Sequence, residues 1–276
     1  MAKASPRWQR LPPFLVLAAV AATTIYPLAF VAMTSFRPKP DYLRNPYGIP
    51  SSLSFDNYVK LIVNYDVLRA GTNSLIVISV ALIVTLIFAT LAAYAIVKLN
   101  LPFKSVFAGG FVSVMLVPGQ VLIIPVYLLL SMLRLVDSLP GLMAVYIATN
   151  IPFDVFFMIT VLRGVPDALI EAAKIDGASP LRILVSIVVP VARTGIVTLG
   201  ILTFLAMWNE LIFGLILLPT EAHNVLTSKM ASIGGRFVSN QPILMSGLMI
   251  TSLPPVLVLT FLSRYLIEGI TSGMGK

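Results

Sequence analysis

An all-α, polytopic membrane protein is the fold class that three observations predict. The 276 residues are 58% hydrophobic and 11% charged, whereas soluble domains run about 45–50% and about 25%. Mean hydropathy is +0.97. Apolar runs of spanning length recur along the chain without the two-residue alternation that barrel strands require. Backbone polar groups find no water in hydrocarbon, so runs of this length must be helices.

A helix rising about 1.5 Å per residue needs about 20 apolar residues to cross the bilayer core. Six runs qualify, near residues 11–35, 73–97, 106–133, 141–162, 195–217 and 243–262. The first follows Lys3, Arg7 and Arg10 like a secretory signal, but its apolar stretch exceeds signal length and reads as a retained anchor. An even number of crossings puts both termini on one side. That side carries Lys3, Arg7, Arg10, Lys98, Lys104, Arg163, Lys174, Arg182 and Arg193, against Arg37, Lys39, Arg44, Lys60, Arg69, Arg134, Lys229 and Arg236 on the other. The bias favours termini inside only slightly. Between the first two runs, residues 36–72 carry Pro38, Pro40, Pro46 and Pro50, and read either as an irregular external lobe or as a flexible spacer. No internal repeat stands out, and the whole chain reads as one membrane domain.

Composition also excludes chemistry. There is no Cys, and one His, His223, cannot make a histidine metal cluster. No Ser, His and Asp grouping suggests a membrane enzyme. The net charge of +8 is spread between apolar runs, so its partners are anionic lipid headgroups and an adjoining subunit rather than nucleic acid. The chain lacks a G-x-x-x-x-G-K-[ST] loop; its closing GMGK has neither the spacing nor a following helix, so ATP is not bound by that route.

The segment Val165 to Pro190, VPDALIEAAKIDGASPLRILVSIVVP, is charge-bearing and lies between two long apolar runs. Pro166 sets a break, and Asp167 can cap a helix over Ala168 to Asp176 by accepting from first-turn N–H groups. Gly177 supplies the positive-φ stop. Ser179 and Pro180 restart a helix as N-cap and first residue. Two helices meeting at a sharp corner follow. On the first, Glu171, Lys174, Ile175 and Ala178 share a face, while Ala172 and Ala173 keep it slim enough for a groove.

EAAKIDGAS followed by Val188 to Pro190 resembles the EAA loop, here residues 165–190, of permeases in binding-protein-dependent ABC importers. AAYAIVKLN (Ala92 to Asn100), AMWNELIFGL (Ala206 to Leu215) and RYLIEGITSGMGK (Arg264 to Lys276) are similar to the carbohydrate branch, in the manner of the second, maltose-type permease. The resemblance implies a non-catalytic subunit of a bacterial or archaeal plasma membrane with both termini cytoplasmic. It would be paired with a homologous permease, two ATPase subunits that hold ATP and magnesium, and an extracytoplasmic solute-binding protein. It implies that Glu171, Ala172, Ala173, Asp176 and Gly177 carry the ATPase contact. No cofactor is expected in this chain.

Ionisable groups inside spans are costly and call for a functional reading. Asp154 follows the Ile151–Pro152 break in the fourth run, with Asn150 just before it; Glu210 lies in the fifth beside Trp208 and Asn209. Pro152 removes a helical N–H and frees carbonyls that are tolerated beside protein or a wet cavity. An aromatic face beside hydrogen-bonding groups suits a sugar; the equal alternative is that Asn209 and Glu210 bridge helices between subunits. In the third run, Gln120 and Tyr127 flank breaks at Pro118 and Pro125 and join the candidate pathway set. Two alternatives remain open: a proton-coupled secondary transporter titrating Asp154 and Glu210, and an ABC permease for a non-sugar solute such as a glycerol phosphodiester or polyol. Inverted repeats with interrupted helices, expected of the former, are not seen.

Overall fold

The computed structural model describes residues 11–236 and 240–274, and among them every regular element is helical. The basic residues Lys3, Arg7 and Arg10 and the last two residues of the terminal GMGK lie outside that range. Four helices are long and apolar enough to cross a membrane, and two bent helix pairs raise the number to six if each pair is one span. The chain divides into two compact units, residues 1–67 with 230–253, and residues 68–229 with 254–276.

In the first unit, α1 (Leu11–Ser35) leads into α2 (Lys39–Arg44) and α3 (Asp56–Asn64). Leu15, Val16, Leu17, Val20, Ile25 and Leu28 are exposed along α1, the surface expected of a lipid-facing helix. The lobe after it is built around one buried cation. Arg37 is 2% exposed; its Nε donates to Asp41 Oδ2 at 2.8 Å, and its terminal nitrogens donate to the carbonyls of Gly48 and Asn45 at 3.0 Å each. Asp41 also accepts from the Ser51 hydroxyl. Asn57 Nδ2 bonds the carbonyls of Ser35 and Arg37 at 3.0 and 2.8 Å. A charge desolvated this completely is tolerated only because its donors are answered. The spacer alternative for this lobe gives way to an ordered Arg37-centred fold.

In the second unit, α4 (Val67–Lys98) starts six residues before the run expected from Asn73. The third run is not one straight span: α5 (Lys104–Val114) and the pair formed by a 3₁₀ turn (Gly119–Leu122) and α6 (Ile123–Met132) meet at 84°. Pro118 caps the turn at this break, whereas Pro125 sits in the first turn of α6, where its missing N–H costs no bond. α7 (Leu139–Arg163) runs unbroken through Pro152. α8 (Asp167–Ile175) forms the projecting segment, and α9 (Pro180–Ile183) continues through a π turn (Leu184–Val188) and α10 (Val189–Val191) before a 79° bend into α11 (Arg193–Asn209). The fifth apolar run extends to Leu217, but the helix stops at Asn209. Glu210 is extended, and a short α12 (Ile212–Leu217) follows. α13 (Leu226–Arg236) and α14 (Gln241–Met274) complete the chain.

The core of this unit joins Ala89, Ala93 and Tyr94 of α4 to Val155, Met158, Ile159 and Leu162 of α7, Ile170 and Ala173 of α8, and Leu184 and Val188 after the corner. Small residues bring helices close, as membrane packing favours. A Cβ added at Gly195 would lie 2.4 Å from Val161 Cγ1.

Candidate functional site

Two places carry the candidate residues, a helical corner and a cavity at helix breaks. At the corner, Pro166 is the N-cap of α8 with extended backbone, and no side chain caps the helix. Asp167 was expected to do so. Its carboxylate instead takes the Lys98 ammonium at 2.6 Å, a stronger, charge-assisted partner. That ammonium holds the Asp167 carboxyl below the usual carboxylate range.

The C-terminus of α8 ends as predicted. Gly177 has φ +78°, its N–H donates to Lys174 O at 3.0 Å, and Ala178 N–H donates to Ala173 O at 3.0 Å, the paired bonds of a Schellman stop. Ser179 then caps the next helix by accepting from Arg182 N–H at 3.4 Å. Ile170 and Ala173 face the core, while Glu171, Ala172, Lys174, Asp176 and Gly177 are exposed and Ile175 is 86% exposed. The two alanines therefore divide: Ala172 faces outward, and Ala173 lets α8 sit close against its own bundle. The face available to another protein is Glu171, Ala172, Lys174, Ile175 and the Asp176–Gly177 turn.

Two residues that anchor this corner escaped the sequence reading. Tyr94 Oη donates to Pro180 O at 3.1 Å, and Lys98 Nζ donates to Val165 O at 2.7 Å as well as to Asp167. They lie one turn apart on α4, so a single helix face grips both ends of the corner. Their four-residue spacing in AAYAIVKLN was the available signal; a lysine at the end of a span reads equally well as an ordinary flanking charge.

The second place is a cavity of about 210 Å³ where the chain breaks. Gly119 and Gln120 reach it from the 3₁₀ turn, Thr149 and Asn150 from α7, and Glu210 and Phe213 from the break between α11 and α12. Three predicted residues thus meet: Gln120, Asn150 and Glu210. Glu210 is heavily engaged. Its Oε1 accepts from Ile212 N–H at 2.8 Å and Phe213 N–H at 3.0 Å, and its Oε2 from Gly214 N–H and Tyr146 Oη at 3.3 Å each. A carboxylate so placed answers the orphan donors of a helix start. Asn150 Nδ2 bonds Tyr146 O at 2.8 Å.

The other predicted residues lie elsewhere. Asp154 is fully buried and pairs with Thr203 of α11, so it ties two helices instead of lining the cavity. Trp208 is 3% exposed and stacks on Phe204 with ring centroids 5.6 Å apart, which removes its face from solvent. Asn209 is exposed and turns its Nδ2 back onto Leu205 O at 2.8 Å. Tyr127 is exposed on α6 and does not line the cavity. Among the described residues no group of His, Cys, Asp and Glu could hold a metal ion.

A helical membrane bundle with a cavity at its helix breaks, apolar but edged by Gln120, Thr149, Asn150 and Glu210, and an exposed helical corner held by a spanning helix is a transport subunit in form. Comparison with known proteins agrees. Residues 85–272 match the family described as binding-protein-dependent transport system inner membrane component. The chain is 28% identical over 251 residues to the diacetylchitobiose uptake system permease protein of Streptomyces coelicolor, covering 90% of this chain and 83% of that one. It is 27% identical over 259 residues to the trehalose transport system permease protein of Mycobacterium tuberculosis, covering 93% and 94%. A chain in the crystal structure of a bacterial ABC transporter that imports the acidic polysaccharide alginate superposes with a TM-score of 0.82 at 19% identity, covering 96% of this chain and 99% of that one. The protein belongs to the binding-protein-dependent transport system inner membrane component family.

Proposed function

We propose that this chain is the permease subunit of an ATP-driven ABC importer that passes a sugar or oligosaccharide delivered by an extracytoplasmic binding protein. The relatives named for diacetylchitobiose and trehalose uptake support the sugar class, and the family description supports the binding protein. ATP and magnesium belong to two separate ATPase subunits, and a homologous second permease completes the pathway. The 210 Å³ cavity is smaller than the roughly 300 Å³ at which ligand pockets begin, which fits a chain that supplies one wall of a shared passage. Both termini and the α8 corner lie on the cytoplasmic side.

The observation that carries this reading is the corner itself. Ile175 is 86% exposed on a short, rigidly stopped helix whose inner face is core. An aliphatic side chain held out in this way, with Glu171 one turn before it, suits insertion into a groove of the ATPase. Force arriving there would pass through Lys98 and Tyr94 to α4, and through Ile170 and Ala173 into the core they share with α4 and α7.

Gradient-driven transport through Asp154 and Glu210 is disfavoured, because one carboxyl is sealed between helices and the other is committed to backbone donors. The test is solute uptake by the assembled transporter in proteoliposomes. Glu171→Ala with Gly177→Pro is expected to abolish ATP-dependent uptake while membrane insertion stays intact. Uptake at the parental level in that variant overturns the assignment.

A further inference from the structure

Beyond the solute path, the second unit carries a basic cavity that neither the transport reading nor the corner uses. It measures about 310 Å³ and opens where three helix ends meet: Ile96 and Val97 close α4, Lys104, Ser105 and Ala108 open α5, and Arg163 closes α7. No acidic side chain lines it. The nearby Lys98 is already neutralised by Asp167, whereas no ion pair or hydrogen bond engages the side chain of Lys104 or Arg163 among the described residues. Two exposed cations without a protein partner among the described residues therefore share one recess.

The backbone there points the same way. The N-cap of α5 is Phe103, in the left-handed region at φ +56°, and it offers no side-chain acceptor. Val106 and Phe107 N–H groups return to Phe103 O, and the N–H groups of Lys104 and Ser105 meet no acceptor among the described residues. Lysine is also the wrong charge for this position, since the helix dipole makes the N-terminus positive. An anion in the recess would answer both the helix dipole and these exposed cations.

Around the cations the surface is apolar. Phe103, Val106 and Phe107 are 77%, 67% and 52% exposed on the same turn, and Ile96, Val97 and Ala108 line the recess. A free phosphate would leave these side chains uncovered. We propose that this cavity binds the headgroup phosphate of an anionic phospholipid in the leaflet that holds the α8 corner. Lys104 and Arg163 take the phosphate oxygens, Ser105 donates through its hydroxyl and N–H, and the exposed ring and aliphatic groups of α5 lie along the acyl chains.

Native mass spectrometry of the full chain released from nanodiscs of mixed phosphatidylglycerol and phosphatidylcholine tests this. Wild type is expected to retain phosphatidylglycerol in preference to phosphatidylcholine. Lys104→Gln and Arg163→Gln should each lower that preference about fivefold and together about thirtyfold, the effect of one and two surface cations on anionic lipid. Lys104→Arg with Arg163→Lys, a pair that keeps the charge, should preserve it and show that the recess is still folded. Arg44→Gln, in the other unit, should leave it unchanged. Equal retention of both lipids in wild type, or a loss as large in Arg44→Gln as in the cavity variants, overturns the proposal. So does displacement of the lipid by millimolar inorganic phosphate, which would assign the recess to a free anion.

Discussion

The Thr203 hydroxyl lies 2.9 Å from each carboxylate oxygen of Asp154, a bridge between α11 and α7 in which Thr203 is 1% exposed and Asp154 not at all. It is the one hydrogen-bond donor that the described residues give this carboxyl. Interhelical hydrogen bonds in membranes are worth about 0.6 kcal/mol on average and about 1.7 at most. Thr203→Val should therefore lower stability by about 1 kcal/mol, read by unfolding of the purified chain in mixed micelles. Asp154→Asn keeps the pair, and uptake by the assembled transporter should stay at the parental level. Loss of uptake in that variant, coupled with a requirement for a proton gradient, would restore the secondary-transport alternative.

Glu210 predicts a local effect. Its carboxylate collects the N–H groups of Ile212, Phe213 and Gly214, so Glu210→Ala leaves the start of α12 without acceptors. Losing a cap of this kind costs about 0.5–2 kcal/mol. Amide hydrogen exchange at residues 212–214 should speed up while α7 stays protected. Tyr146→Phe removes one partner at 3.3 Å and should give a smaller change in the same direction.

How much of this was legible beforehand depended on the range of the interactions. The stop at Gly177, the Ser179 cap and the break at Pro118 are set by neighbours within four residues and were readable. Local sequence makes Asp167 look like a cap because its partner, Lys98, is 69 positions away. Glu210 falls inside a span on sequence because the apolar run continues to Leu217; in the structure the helix ends there and its carboxylate answers the freed N–H groups of the next helix. Trp208 looked available for a sugar face, and only the packing of α11 reveals that its ring is spent on Phe204.

The Lys98 to Asp167 pair makes the corner sensitive to acid. The Asp167 carboxyl is held below its ordinary value of 3.8 by the hydrogen bond and charge of Lys98. A carboxyl with a depressed folded pKa contributes stability that is present above the unfolded pKa and lost as pH falls through the folded one. Protection of residues 165–178 against proteolysis should hold at neutral pH and decline below about pH 4. Asp167→Asn should flatten that profile, and Lys98→Met should open the corner at every pH because Val165 O also loses its donor.

Two glycines should respond to alanine for different reasons. At Gly177 an added Cβ meets nothing within 4 Å, so the penalty is the left-handed backbone alone, about 1 kcal/mol, and Gly177→Asn should cost less than Gly177→Ala. At Gly195 the backbone conformation is helical, but the new Cβ falls 2.4 Å from Val161 Cγ1, and a β-branched side chain has little rotamer freedom with which to retreat. Gly195→Ala should cost about 1–3 kcal/mol through overpacking of α11 against α7. Adding Val161→Ala should recover much of that loss, giving a favourable coupling energy in a double-mutant cycle. The same second substitution should do nothing for Gly177→Ala, whose strain has no packing component. Equal rescue of both would mean that the two positions share a cause, and that the close approach of α7 and α11 at Gly195 is not what limits the residue there.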